Sequence, residues 1–328
     1  MAQNPIPPNR VPDLSVQLGP LRLKNPVLAA SGTFGYGAEY ADFLDLRSLG
    51  AVVVKGISLR PRPGNPPPRL VETPAGLINS IGLENVGLES FLQDKLPYLR
   101  SRQVPVIVNI FGSSVEEYRE LAARLDGASS IAALEINISC PNVKEGGMVF
   151  GSDAKMAANV VGAVRQATCL PLITKLTPNV TRIGEIARAV VEAGTDIISC
   201  INTVAAMGVD IFTRRPKLAN IIGGLSGPAI KPIALRCTYE VLQAVACPVI
   251  GIGGISTATD ALEFLLVGAR AVQVGTANFV NPRATMEIVQ GIEQFLKMQG
   301  LQSLNDFIGT LDSRCLFPFA EEVCEIPE

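Results

Sequence analysis

The stretch Ala133-Leu134-Glu135-Ile136-Asn137-Ile138-Ser139-Cys140-Pro141-Asn142 decides how the rest of the chain is read. An apolar run of strand type passes into a cluster of Asn, Ser and Cys, and Pro141 stops further sheet pairing. Polar residues at the carboxyl end of an apolar strand are where parallel-barrel enzymes keep their chemistry. Composition adds weight to the thiol, because the 328 residues include no histidine. The commonest general acid–base is missing, so proton transfer falls to Cys, Lys, Asp, Glu, Tyr or a hydroxyl.

Outward from this stretch (strand at 133–137), similar short runs of Val, Ile, Leu and Ala recur at 26–30, 51–55, 105–109, 171–175, 196–201, 248–252 and 271–274. Near-continuous apolar runs mark parallel strands covered on both faces. Between them, helical periodicity is clear at 115–125, 154–167, 183–193, 229–244 and 257–267. Ser256 or Thr257 suits an N-cap, and Gly194 and Gly268 follow the ends of two helices. Eight strand–helix units predict an α/β protein, a closed (β/α)8 TIM barrel. It is expected to be a single domain over residues 1–328, with the barrel proper at about 25–300. Ahead of it, 14–18 and 21–23 alternate across Gly19-Pro20, which predicts an N-terminal β-hairpin capping the barrel floor. Two connections, 56–89 after strand 2 and 202–228 after strand 6, are too long for plain loops. They predict functional insertions on the upper face.

Composition excludes several classes. A hydrophobic content of 48% and a charged content of 18% describe a core-rich globular chain. Twenty-eight basic against thirty acidic residues, with no basic run, argue against a nucleic-acid surface. Residues 1–12 are polar and Pro-rich, unlike a signal peptide, and no apolar run reaches the length of a membrane span. The seven cysteines, at 140, 169, 200, 237, 247, 315 and 324, form no CxxC pair. No metal site is expected; Cys200 and Cys247 read as small core residues, and the chain as cytoplasmic and reduced.

The strand ends carry Ser31-Gly32, Lys55-Gly56, Asn109, Asn137 with Cys140, Lys175, Asn202-Thr203, Gly253-Gly254 and Gly275-Thr276. One strand-end Asn is usually a turn residue, but eight strand ends converging on one rim describe a site. The glycines ending strands 7 and 8 stand where barrel enzymes commonly hold a phosphate on backbone N–H groups. Asn79, Asn137 and Asn202 each offer a donor and an acceptor, as reading a cyclic imide requires. Lys175 suits the neutralisation of charge on a reduced flavin, and Lys55 suits a bridge between cofactor and anionic substrate. Cys140 is the candidate base, since a free thiol has a pKa of roughly 8.5. Gly146-Gly147 downstream suggest a loop that closes over a ligand.

These residues fall in segments that, taken together, resemble the class 1 dihydroorotate dehydrogenases. The matching pieces are NPVLAASGTFGYG from Asn25, VKGIS from Val54, GNPPPR from Gly64, NSIGLEN from Asn79, INISCPNV from Ile136, KLTPN from Lys175, GGLSGPAIKP from Gly223, IGIGGI from Ile250 and VQVGTA from Val272. The resemblance implies FMN across the barrel mouth, with Ser31, Lys55, Gly56, Asn109, Asn137, Lys175 and Ile201 around its ring. Gly227, Gly253, Gly254, Gly275 and Thr276 would hold its phosphate. Dihydroorotate would be held by Lys55, Asn79, Ser80, Ile81, Gly82, Leu83, Asn137, Asn202 and Thr203, with Cys140 as catalytic base, giving orotate in UMP biosynthesis. Ile81 departs from the methionine more usual at that position. Class 2 enzymes use serine as base and carry a membrane-associating extension, so Cys140 speaks against that class.

Within class 1, TFGYGAEY and NVKEGGMVFG resemble subtype B, the catalytic subunit of a heterotetramer. Its two partner chains carry FAD and [2Fe-2S] and pass electrons to NAD+. The alternatives are a homodimeric subtype A enzyme using fumarate, a tRNA-dihydrouridine synthase, and a non-catalytic phosphate-ligand-binding barrel. The dihydrouridine synthase would need a basic RNA-docking surface. The non-catalytic barrel leaves Lys55, Lys175 and Cys140 without purpose.

Overall fold

The computed structural model describes residues 11–139 and 150–312. The expectations placed on Cys140, on Gly146-Gly147 and on the chain beyond 312 lie outside the described residues. The first hairpin pairs β1 (Val16–Leu18) with β2 (Leu21–Leu23) in antiparallel register. Both strands bury alternate residues, as their two-residue period requires.

Every apolar run of the sequence reading becomes a strand or part of one. β3 (Val27–Ala29) and β4 (Ala51–Val53) are buried throughout. The excursion after β4 folds into β5 (Leu70–Thr73) and β6 (Gly76–Asn79). β7 (Val106–Ile110), β8 (Ile131–Asn137), β9 (Leu172–Leu176) and β10 (Ile197–Cys200) continue the barrel. The excursion after β10 carries β11 (Val204–Met207), β12 (Val209–Asp210), β13 (Arg215–Pro216) and β14 (Ile222–Ser226). β15 (Val249–Ile252) and β16 (Ala271–Val274) complete the set. Among the described residues, β3, β4, β7, β8, β9, β10, β15 and β16 form a closed parallel barrel in chain order. The turn of the first hairpin places Gly19 against the backbone of Asp196, just ahead of β10, so the hairpin closes the amino-terminal end, the floor.

The two long excursions are not independent. Their strands join in one antiparallel sheet of order β11-β14-β6-β5, with Gly224 opposite Asn79 and Ser226 opposite Leu77. Sequence reading predicted two insertions; the structure makes them a single roof.

Helices cover the outside. α1 (Gly87–Ser90) and α2 (Leu96–Ser101) flank a π turn, Phe91–Lys95. α3 (Val115–Asp126), α4 (Ala154–Ala167) and α5 (Ile183–Glu192) each turn an apolar stripe inward. α6 (Lys231–Ala244) follows a short 3₁₀ turn, so it starts two residues later than the periodicity suggested. α7 (Ala258–Val267) opens on a capping box between Thr257 and Asp260 and ends at Gly268. α8 (Ala277–Val280) is one turn, and α9 (Ala284–Gln299) packs Ile288, Ile292 and Leu296 into the core. α1, α2 and α9 were not singled out from sequence, although the i, i+4 spacing of Ile288, Ile292 and Leu296 carried the signal.

Candidate active site

The carboxyl ends of the barrel strands and the underside of the roof enclose a cavity of about 840 Å³. That volume is in the range that holds a cofactor-sized ligand. Each barrel strand supplies part of the wall. Ser31 follows β3, Lys55 and Gly56 follow β4, and Asn109 ends β7. Asn137 ends β8, Lys175 lies in β9, and Ile201, Asn202 and Thr203 follow β10. Gly253 and Gly254 follow β15, and Gly275 and Thr276 follow β16. The roof contributes Asn79 and Gly227, and Ser80, Ile81, Gly82 and Leu83 extend from β6. Every described residue predicted for the site therefore lines one cavity. Cys140 is the next residue in sequence after Ser139, which also lines it.

The polar side chains are held in fixed attitudes. Asn137 accepts from Ser139 N–H (3.2 Å) and from Asn202 Nδ2 (3.4 Å) through the same oxygen, so its N–H₂ end is left for a ligand. The carbonyl of Asn137 accepts the Tyr118 hydroxyl at 2.7 Å, and Tyr118 is itself braced edge-on by Phe150. Ser139 Oγ donates to the carbonyl of Lys175 at 3.1 Å, which ties the ends of β8 and β9 together. Asn79 Nδ2 donates to the Gly224 carbonyl, pinning that side chain to the roof seam.

Sequence reading missed the group beneath these residues. Glu135, in the quoted stretch itself, is fully buried and receives Asn109 Nδ2 (2.7 Å), Gln273 Nε2 (2.7 Å) and Ser199 Oγ (3.0 Å), with Lys175 Nζ at 3.7 Å. A carboxylate, an amide and a hydroxyl in mid-strand of an otherwise apolar barrel were visible as exceptions at 135, 273 and 199. Their convergence was not visible, because it joins β7, β8, β9, β10 and β16.

Electrostatics separates the two lysines. Lys175 lies against Glu135, whereas burial pulls the ammonium of half-buried Lys55 below the ordinary lysine range. Glu84 and Glu39 oppose that fall, and Arg69 adds to it. Burial pushes the Cys200 thiol well up and Cys247 to about 11, so both stay protonated at neutral pH; Cys200 lies in the core as expected, whereas Cys247 is half-buried against its edge. Among the described residues no group of Cys, Asp and Glu could hold a metal ion.

The wall fits FMN on two independent features. At the base of the cavity, Asn109 Oδ1 and Gln273 Oε1 are buried and have no partner among the described residues, which calls for a donor on the ligand. Between β15 and α6, Gly253 (φ +129°) and Gly254 (φ +73°) take left-handed backbone, and a Cβ would come within 2.7 Å of Ala234 and 2.6 Å of Lys231. The N–H groups of Gly253, Gly254, Gly275 and Thr276 have no acceptor among the described residues, which leaves them for an anion. The start of α7 is not part of that cradle. The Asp260 carboxylate already takes the N–H groups of Ser256 and Thr257.

Fold and site together define a (β/α)8 barrel enzyme with its ligand cavity at the carboxyl ends of the strands. Comparison with known proteins narrows this. Residues 13–296 match the family described as dihydroorotate dehydrogenase. The protein named dihydroorotate dehydrogenase B (NAD(+)), catalytic subunit, of Geotalea uraniireducens is 58% identical over 300 residues, covering 92% of this chain and 98% of its own length. The equally named protein of Geobacter sulfurreducens is 56% identical over 301 residues, covering 92% and 99%. The chain belongs to the dihydroorotate dehydrogenase family.

Proposed function

We propose that this protein is the FMN-binding catalytic subunit of a B-type dihydroorotate dehydrogenase, oxidising (S)-dihydroorotate to orotate in pyrimidine biosynthesis. The observation that carries this reading is the base of the cavity. It offers two unpartnered amide oxygens, on side chains that donate to the same Glu135 carboxylate that Lys175 lies against, at the mouth of a barrel 58% identical to named B-type catalytic subunits.

Bound FMN supplies the acceptor for the hydride that leaves C6 of the substrate. The rest is the work of the chain. Lys55 faces the substrate carboxylate; its burial weakens competition from water and strengthens the contact. Asn137, fixed by Ser139 and Asn202, turns its N–H₂ end to the ring, and Thr203 and the turn from Asn79 to Leu83 close the other side. Cys140 removes the C5 proton, so that loss of a proton and a hydride leaves the C5=C6 double bond. The roof covers these groups, so that a ligand filling the cavity displaces water from them.

Electrons leave through a separate subunit carrying FAD and [2Fe-2S], on to NAD+, in an assembly of two catalytic and two partner chains in the cytoplasm. The relatives' name, catalytic subunit, supports a separate partner. No described helix is long and apolar enough to cross a membrane. An absorption spectrum tests the core of the reading: the isolated chain is expected to be yellow and to bleach when dihydroorotate is added without oxygen. A colourless chain that stays colourless after incubation with FMN refutes it.

A further inference from the structure

Glu135 has no exposed surface, and every polar contact it makes is with a donor. Its Oε1 accepts Asn109 Nδ2 at 2.7 Å and lies 3.7 Å from Lys175 Nζ. Its Oε2 accepts Gln273 Nε2 at 2.7 Å and Ser199 Oγ at 3.0 Å. A carboxylate can only accept, so both amides must turn their N–H₂ ends toward it and their oxygens away. Those oxygens, Asn109 Oδ1 and Gln273 Oε1, are among the six buried side-chain atoms left without a partner among the described residues, and both side chains line the cavity. A dry, unpaired carbonyl is destabilising, and a ligand donor relieves it.

We propose that Glu135 is a positioning residue for the cofactor: it fixes Asn109 and Gln273 as acceptors, anchors the Lys175 ammonium, and places a negative charge behind the cavity wall where the cofactor would bind. The proposal rests on the FMN reading above and assigns the barrel interior a role in it. Reduction adds electrons to the cofactor, so a carboxylate behind the wall opposes that gain while Lys175 favours it. The two together set the balance, and the donors to Glu135 tune it.

The test uses the full chain reconstituted with FMN, read by the FMN dissociation constant and by the midpoint potential of the bound flavin. Glu135→Gln keeps the shape and removes the charge. Its own N–H₂ must then face one pair of former donors, so an amide is forced to flip or is left unpaired. FMN affinity is expected to fall about tenfold or more, and the potential to move positive. Ser199→Ala, at a buried position outside the cavity wall, keeps the charge and removes one donor to it. The potential is then expected to move negative with FMN still bound. Opposite signs support the proposal, since a merely structural role gives no reason for them.

Unchanged potentials in the FMN-bound variants, or shifts of the same sign, overturn it. Should Glu135→Gln fail to fold, as judged by its melting curve, Ser199→Ala decides alone, and an unchanged potential there overturns the proposal. A wild-type chain that takes up no FMN overturns the functional reading and this proposal together, whereas unshifted variants overturn the proposal alone.

Discussion

At Lys55, burial works against the charge that ligand binding needs. The folded protein holds this proton less tightly than the unfolded chain does, so the site costs stability at low pH. That cost is relieved as pH rises through the depressed pKa. Binding runs the other way. Affinity for orotate is expected to be full at neutral pH and to decline on the alkaline side, beginning below the 10.5 of an ordinary lysine. Calorimetric titration of orotate across pH would show this. Affinity that holds level up to the ordinary lysine range, or a decline that persists in Lys55→Met, would assign the effect elsewhere. Cys140→Ser makes a separate demand: flavin reduction by dihydroorotate at neutral pH should slow by about 10²–10⁴-fold with FMN retained. Stopped-flow reduction near the wild-type rate would remove the thiol from the base role.

At the scale of elements, close approach and capping matter more than propensity. A Cβ on Gly291 in α9 would lie 2.4 Å from Ala258 Cβ at the start of α7. Helix propensity favours Gly291→Ala by about 1 kcal/mol, but overpacking a tight contact costs about 1–3 kcal/mol. A net loss is expected in urea unfolding; a more stable variant would mean the helices separate freely. The same end of α7 carries the Thr257–Asp260 capping box, and Lys231 at the start of α6 reaches Asp260 at 2.7 Å. Burial raises the Asp260 carboxyl, but Lys231 and the N–H groups of Ser256 and Thr257 outweigh it and hold it below the usual value. Its contribution is present above the unfolded carboxyl pKa and disappears as pH falls through the lower folded value. Thr257→Ala should cost about 1 kcal/mol by chemical denaturation. The barrel strands were legible because each is a local apolar run. The roof was not, since Gly224 and its partner Asn79 on β6 lie 145 residues apart. Glu135 escaped for a similar reason: one of its donors, Gln273, is 138 residues distant.

At the scale of the whole molecule, the route of electrons is the open quantity. No described cluster of side chains could hold an iron–sulfur centre. On the B-type reading proposed above, the isolated chain is expected to reduce artificial dyes with dihydroorotate while reducing NAD+ poorly. Rapid NAD+ reduction by material shown by mass spectrometry to hold no second subunit would overturn the B-type reading. The antiparallel seam between β6 and β14 has its own consequence for traffic through the mouth. Residues 77–79 and 224–226 are stitched edge to edge, so neither flap can swing aside while the other stays shut. Entry and escape of a small molecule thus become one cooperative event, and the backbone amides on both sides of the seam should trade deuterium with a single shared rate.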